Sequence, residues 1–184
     1  MKVNSVWLSL LALGLGSCDL GGAKGEFTRQ LEICAVAERN GLLEAAVEAC
    51  GAALAIAEEQ AYGPEQISRL LYRLAQFERQ RGEFARAQAL AERSLTLEEQ
   101  RGERGELASR LIELALTAAG QNRWTDGAEL LERAAPVAGE LSGEERMTAA
   151  NTFRAFGARM DALGQTALAE RFRAMAQALA EDPR

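Results

Sequence analysis

One short pattern occurs four times along this chain at a nearly constant spacing. A Gly or Asn is followed two residues later by Leu, Phe, Trp or Thr, and five residues later by Ala or Gly. The pattern begins at Gly41, Gly82, Asn122 and Gly164, which lie 41, 40 and 42 residues apart. Self-similarity at a fixed period of this length is typical of arrays in which one supersecondary unit stacks on itself. The repetition therefore predicts an array.

Each copy contains two stretches of apolar residues at helical spacing, one on either side of the pattern's Gly or Asn. In the second copy, Leu70, Leu71 and Leu74 precede Gly82, and a second periodic stretch starts at Phe84. This spacing predicts two amphipathic helices that form an antiparallel hairpin. A plain helical bundle with coincidental spacing is the alternative, but four copies in phase favour the array.

The copies resemble the tetratricopeptide repeat (TPR), in the longer variant of about 42 residues that occurs in kinesin light chains and many bacterial proteins. The family's marks appear in the second copy as Leu74-Ala75, Gly82, Phe84 and Ala87. Asn122 replaces Gly in the third copy, and Thr166 replaces the usual aromatic residue in the fourth. The resemblance implies an all-α fold, an α-solenoid of about four helical hairpins that form a right-handed superhelix. The repeats are expected at about 26–61, 64–101, 104–140 and 143–181.

The N-terminal segment 1–17 has the pattern of a secretory signal peptide. Lys2 precedes a mostly apolar run from Val6 to Leu15, which is shorter than the 20 residues or so that span a bilayer as a helix. The run ends in Leu15-Gly16-Ser17-Cys18, which resembles a bacterial lipobox. The resemblance implies cleavage before Cys18 and acylation of this cysteine. An ordinary signal peptide cleaved after Ser17, or an uncleaved buried helix, remains the alternative.

Residues 18–25 are expected to be the lipidated Cys18 and a short flexible tether. Acyl chains on Cys18 would anchor the protein in a bacterial cell membrane, with the repeats facing the periplasm. Asp19, which follows the cysteine, slightly favours the inner membrane, and the outer membrane remains open. A tether of this length would keep the repeat domain close to the membrane surface.

Cys34 and Cys50 are the two remaining cysteines, and they lie eight residues on either side of position 42, close to the first predicted turn. Residues equidistant from the turn of an antiparallel hairpin face each other. After export to an oxidising compartment, this pair predicts a disulfide. The alternative is that both are free cysteines buried in the helix contact.

Composition argues against several classes of function. The formal net charge is −6, and it becomes −7 if Lys2 leaves with the signal peptide, which argues against binding to nucleic acid or anionic lipid. The sequence contains no His, and no phosphate-binding loop or nucleophile motif occurs. We therefore predict a protein that is not an enzyme and that has no cofactor and no metal site.

The TPR resemblance places a binding groove along the first helix of each repeat. The positions expected to face it are Arg69, Tyr72, Gln76, Arg79, Ser109, Ile112, Leu116, Asn151, Arg154 and Asp161. The polar members are suited to an extended peptide, and Ile112 and Leu116 would form an apolar floor. The paired Lys and Asn of the chaperone-binding subfamily are missing at such positions.

The predicted function is that of a membrane-anchored TPR lipoprotein that acts as a protein–protein interaction scaffold in a bacterial cell-envelope complex. Its partner would be a protein or peptide of that envelope. The alternative function is a chaperone-like or regulatory module that binds peptides of exported proteins.

Overall fold

A computed structural model describes residues 20–181 of the chain, and this range contains helices and no strand. The helices are α1 (Leu20–Arg39), α2 (Leu43–Glu59), α3 (Pro64–Gln80), α4 (Phe84–Arg101), α5 (Arg104–Gly120), α6 (Trp124–Ala134), α7 (Gly143–Ala162) and α8 (Thr166–Glu181). A short 3₁₀ turn, Ala138–Glu140, lies between α6 and α7.

The eight helices form four successive antiparallel hairpins, and each hairpin packs against the next. The first helices of neighbouring repeats contact each other, α3 against α5 and α5 against α7, and α2 and α4 each pack on the first helix of the following repeat. This arrangement confirms the predicted all-α solenoid. The first hairpin begins at Leu20, six residues before the start predicted for the first repeat.

The turn between the two helices has the same geometry in all four repeats. Gly41, Gly82, Asn122 and Gly164 have φ angles of 66°, 81°, 62° and 76°. The amide of the next residue donates to the carbonyl five positions earlier in every turn, over 2.8 to 2.9 Å, as from Glu83 to Glu78. This bond can close a helix only when the residue just before the donor has a left-handed backbone conformation. Gly adopts that conformation freely, and Asn tolerates it.

Glycines inside the helices allow two backbones to approach closely. A Cβ atom at Gly127 of α6 would lie 2.9 Å from the carbonyl oxygen of Ala115 in α5 and 2.7 Å from the ring of Phe156 in α7. A Cβ atom at Gly157 of α7 would lie 3.2 Å from the carbonyl oxygen of Ala169 in α8. A larger side chain at either position would therefore push two helices apart.

The aromatic residue of the repeated pattern joins one repeat to the next. Phe84 lies so close to α5 that a Cβ atom on Gly120 would be 2.2 Å from its ring, and the rings of Trp124 and Phe156 have centroids 5.0 Å apart. Thr166 holds the same place in the fourth repeat, where it is exposed and no described helix follows α8.

The second helices carry a row of ion pairs between repeats. Arg93 contacts Glu58 over 2.5 Å, and Arg133 contacts Glu99 over 2.8 Å. Arg171 likewise contacts Glu132 over 2.6 Å. Exposed pairs of this kind contribute less than about 1 kcal/mol each. The row follows from the regular stacking and does not cause it.

The third repeat departs from the others because α6 ends early, two residues before Pro136. The chain continues through the 3₁₀ turn, and the buried guanidinium of Arg146 in α7 holds this segment. Its nitrogens donate to the carbonyl oxygens of Gly139 and Leu141 on one side, and to that of Leu179 in α8 on the other. Arg146 thereby satisfies carbonyl groups at irregular or terminal backbone.

The start of α1 corrects one expectation. The sequence predicts a flexible tether over residues 18–25, whereas α1 begins at Leu20. Side-chain bonds support its early turns, from Thr28 to the carbonyl oxygen of Lys24 and from Arg29 to the carboxylate of Glu26. Residues 1–17, Cys18 and Asp19 lie outside the described residues. None of the described helices is long and apolar enough to cross a bilayer.

We predict opposite effects for two Gly→Ala substitutions inside helices. Gly127→Ala should lower the free energy of unfolding by about 1–2 kcal/mol, because overpacking outweighs the gain in helix propensity. Gly51→Ala in α2 is the matched control, since a Cβ atom there meets nothing within 4 Å, and it should raise stability by up to about 1 kcal/mol. Urea unfolding measures both, and a stabilised Gly127→Ala variant would contradict the close approach of α5 and α6.

Candidate functional site

An open groove of about 430 Å³ lies between α1 and α3, the first helices of the first two repeats. We call it the α1–α3 groove, and it is lined by Phe27, Thr28, Leu31, Glu32, Ala35, Gln66, Arg69, Leu70 and Arg73. Its floor is apolar and its rim is polar. Small-molecule and peptide sites commonly combine an apolar seat with a few polar groups in this way.

The floor is built from residues four positions apart on α1 and from one leucine of α3. Phe27, Leu31 and Ala35 share one face of α1 because residues at i, i+4 and i+8 align along a helix. Phe27 is held by an edge-on contact with Tyr62, with ring centroids 4.7 Å apart. Leu70 completes the floor from α3 and is 4% exposed.

Two arginines of α3 stand at the rim, and each has an acidic partner. Arg69 contacts Glu65 over 2.6 Å, and its side chain is 59% exposed. Arg73 pairs with Glu38 across the groove-forming helices. Exposed pairs of this type exchange partners at little cost. Arg69 and Arg73 are therefore accessible to an acidic group on a partner.

Arg79, which the sequence assigns to the groove, instead forms a nearly buried ion pair. Its guanidinium donates two hydrogen bonds, of 2.6 and 3.2 Å, to the carboxylate of Glu113 in α5. Glu113 is 2% exposed, and burial raises its pKa while Arg79 opposes the rise. The pair links the second and third repeats.

Tyr72 and Ser109, also expected in the groove, belong to a polar cluster around Arg110. The Arg110 guanidinium lies 4.1 Å from the ring centroid of Tyr72, donates to Ser94 over 3.0 Å, and contacts Glu106 over 2.7 Å. Ser109 hydrogen-bonds the Tyr72 hydroxyl, and burial raises the pKa of that hydroxyl. Arg110 itself is 1% exposed.

The apolar floor expected from Ile112 and Leu116 stays a prediction. Ile112 is 4% exposed and packs inside the core, and it is not among the residues that line the α1–α3 groove. Leu116 is half-buried against the same core, and Gln76 is also half-buried. The resemblance to TPR arrays suggested this floor, and in the structure both side chains pack against the core.

The expected positions in the fourth repeat are exposed and paired within the protein. Arg154 donates to the side-chain oxygen of Asn151 over 2.7 Å, and Asp161 accepts from Arg173 of α8 over 2.7 Å. These side chains form a polar surface without an apolar seat. That they contact a partner stays a prediction.

A second cavity, of about 490 Å³, opens between the start of α5 and the start of α7. Four carboxylates line it, those of Glu103, Glu106, Glu140 and Glu145, with Arg104 as the only cation among its lining residues. Burial, and secondarily the charge of Glu106, raises the pKa of Glu145. Within residues 20–181, however, no cluster of His, Cys, Asp or Glu has the grouping of a metal site.

Cys34 and Cys50 are joined by a disulfide that ties α1 to α2. Their Cα atoms lie 5.3 Å apart, and both residues are fully buried. This separation falls in the usual range for a disulfide. The bond fixes α1 against α2 within the first hairpin.

Sequence reasoning missed most of the groove and found only Arg69. The missed residues that form it are Phe27, Leu31, Ala35, Leu70 and Arg73. The feature of the sequence that could have indicated them is the row of apolar residues on α1. This row is wider than contact with α2 alone requires. The sequence does not distinguish that row from core.

The hairpins, their common turn and their stacking define the fold class: the chain has the fold of TPR-like repeat proteins. Among solved structures it is similar to BtubC (BKLC) from P. vanneervenii, with a TM-score of 0.71, 19% identity, and coverage of 86% of this chain and 67% of that chain.

It is also similar to a putative kinesin light chain from Podosopora anserina with nearly identical TPR-like repeats. The TM-score is 0.62 at 19% identity, with 84% of this chain and 74% of that chain covered. A single-substitution variant of that protein gives 0.64 at 19% identity, with 83% and 74% covered. No protein-family model and no curated protein matches the sequence.

We predict that loss of Arg79 destabilises the array in a pH-dependent way. Arg79→Met leaves the Glu113 charge buried without its partner, which should cost about 3 kcal/mol at pH 7. The pKa of Glu113 then rises further, so stability is retained below the ordinary pKa of Glu and lost as pH rises through the folded-state pKa. The cost should therefore shrink towards pH 4.

The double variant Arg79→Met/Glu113→Met is the control, because it removes both charges and should recover most of the loss. Chemical unfolding at several pH values measures all three proteins. A cost for Arg79→Met that does not change with pH would contradict this account.

Proposed function

We propose that this protein is a bacterial lipoprotein, anchored through Cys18 and facing the periplasm, whose TPR array scaffolds a cell-envelope complex by binding a segment of a partner protein in the α1–α3 groove. The observation that carries the proposal is the groove itself. It is open, has an apolar floor, and lies on the first helices of the array.

The shape and charge of the groove suit a protein segment. Its volume of about 430 Å³ is at the small end of the range for ligand sites, so it accommodates one or two large side chains and not a whole domain. Arg69 and Arg73 at the rim favour a segment with an acidic residue beside its apolar anchor. The acidic overall charge of the chain disfavours nucleic acid.

The disulfide supports the proposal that the array faces an oxidising compartment. Disulfides persist in exported proteins and are rare in the reducing cytosol. Closing the loop between Cys34 and Cys50 contributes about 3 kcal/mol in the chain-entropy account. The lipobox-like Leu15-Gly16-Ser17-Cys18 supports export in the same direction.

We propose no catalytic role. The chain contains no His, and the buried carboxylate of Glu113 is already bound by Arg79. TPR-like arrays typically act as interaction scaffolds.

Scaffolding is favoured over a general holder of exported peptides. Among the expected contact positions outside the groove, Ile112 is buried in the core, and Arg79 is held by the buried carboxylate of Glu113. A single short apolar seat recognises one defined segment better than many unfolded chains. The periplasmic holder therefore remains the second candidate.

We predict that intact protein extracted from membranes carries two modifications. Its mass should correspond to residues 18–184 with added acyl groups and two fewer hydrogens than the dithiol form, because Cys34 and Cys50 are oxidised. Cys18→Ser should leave the protein in the soluble fraction with its disulfide retained. Membrane association that survives this substitution, or two free thiols, would overturn the corresponding part of the proposal.

We predict that a photo-crosslinking residue at Leu31, in the groove floor, captures one stoichiometric envelope protein in living cells. The same residue at Ala174, on the exposed face of α8, is the control and should not capture it. Ala35→Trp should fill the groove and abolish capture while membrane association stays unchanged.

Capture of many unfolded clients at Leu31 would favour the holder. Equal capture at Leu31 and Ala174 would exclude the groove as the binding site.

A further inference from the structure

The outer surface of the first hairpin is unusually apolar for an exposed part of this protein. The exposed large apolar residues of the described chain are Ile33, Val36, Leu42, Met147 and Leu163. Three of these five lie within ten residues of each other, on α1 and in the turn that follows it. At the other end of the array, the exposed side chains of α8 are polar or Ala. Leu168 and Met175 of the same helix are half-buried.

Ile33 and Val36 lie on one face of α1, about 60° apart around its axis. They are 41% and 47% exposed. Arg29 lies on the same face and contacts Glu26 over 2.8 Å, in an exposed pair like that of Arg69 and Glu65. We call this surface the α1 outer face. It differs from the groove side of α1, where Phe27, Leu31 and Ala35 lie.

The position of α1 in the chain indicates what covers this face. The helix begins at Leu20, two residues after Cys18, so its first turn lies within about 7 Å of Cys18. A flexible tether over 18–25 would instead allow a longer separation between Cys18 and the first helix. An acylated Cys18 sits at the membrane surface, and the first turn of α1 must then lie there too.

Two orientations of α1 satisfy that anchor. If α1 stands upright on the membrane, Val36 lies about 24 Å along the helix from Leu20 and its apolar surface faces water. If α1 lies along the membrane, the same surface contacts lipid. The second orientation buries the exposed apolar residues near the anchor.

We propose that α1 lies along the membrane surface, with the α1 outer face on the lipid. This inference rests on the proposed lipidation of Cys18. The contact is mainly apolar, since Ile33 and Val36 form it and the chain is acidic overall. Phe27, Leu31 and Ala35, which line the α1–α3 groove, lie about 120° or more around α1 from Ile33, so the groove does not face the lipid in this orientation.

Tryptophan quenching in vesicles tests the orientation. The acylated full-length product, with residues 1–17 removed as checked by mass, is prepared in a Trp124→Phe background. Single tryptophans are introduced as Gly25→Trp beside the anchor, Val36→Trp on the outer face and Ala174→Trp on α8. The protein is reconstituted in phosphatidylcholine vesicles whose acyl chains carry bromine.

We expect strong loss of fluorescence for Gly25→Trp and Val36→Trp, and little loss for Ala174→Trp. Quenching of Gly25→Trp alone overturns the orientation and leaves the anchor in place. Quenching at none of the three sites overturns the anchor as well. A third outcome is that the tryptophan at position 36 is shielded from water but not quenched by the brominated lipid, while the protein forms a concentration-dependent dimer. That outcome overturns the proposal in favour of a second copy on this face.

The tryptophan introduced at position 36 is itself apolar and replaces part of the surface under test. A second measurement therefore places the probe outside the pair Ile33 and Val36. Asn40→Trp places the probe at the residue that follows α1, where the amide still donates to the carbonyl oxygen of Val36 over 3.2 Å and continues the helical turn, one heptad after Ile33. Ile33→Ser/Val36→Ser should reduce quenching of this probe. Leu163→Ser, which removes another exposed leucine at 47% exposure, is the matched control and should leave it unchanged. Equal quenching in both backgrounds overturns the role of the apolar pair.

Discussion

The array depends on close contact between the two helices of each repeat. Fully buried alanines such as Ala46, Ala75 and Ala115 occupy these contacts, and glycines replace them where space is smallest, as at Gly127. Close contact makes each hairpin narrow. A narrow hairpin allows the aromatic residue after the turn, Phe84 or Trp124, to reach the first helix of the next repeat. Hairpin packing and stacking between repeats are thus consequences of one constraint.

Buried charges decide which part of the inner surface remains free. Arg110 is surrounded by Tyr72, Ser94 and Glu106, and Arg79 is held by Glu113. Every such group is expensive to bury unless its hydrogen bonds are made. The centre of the array is therefore occupied by its own side chains, and the open apolar seat lies between the first two repeats.

The repeats and their turns were predictable because they depend on local chemistry. A left-handed residue must close each helix, so Gly41 and its equivalents are visible in the sequence. The start of α1 was not, since the glycines near Gly22 suggested a tether while side-chain bonds such as Thr28 to Lys24 support a helix. That a groove runs along the second to fourth repeats stays a prediction; of its expected residues, Arg69 lines the α1–α3 groove, and the burial of Ile112 depends on helices that the sequence does not place.

The sequence by itself determined the number of hairpins, their turns and the helix faces that meet, because these follow from residue size, period and backbone conformation over short distances. Tertiary structure alone decided which arginines stay accessible at the surface and which are held in ion pairs with buried carboxylates. Arg79 and Glu113, for example, lie 34 positions apart and meet only when repeats stack. It also decided where the inner surface stays open. Whether a position on a helix is core or groove depends on what the neighbouring helix presents to it.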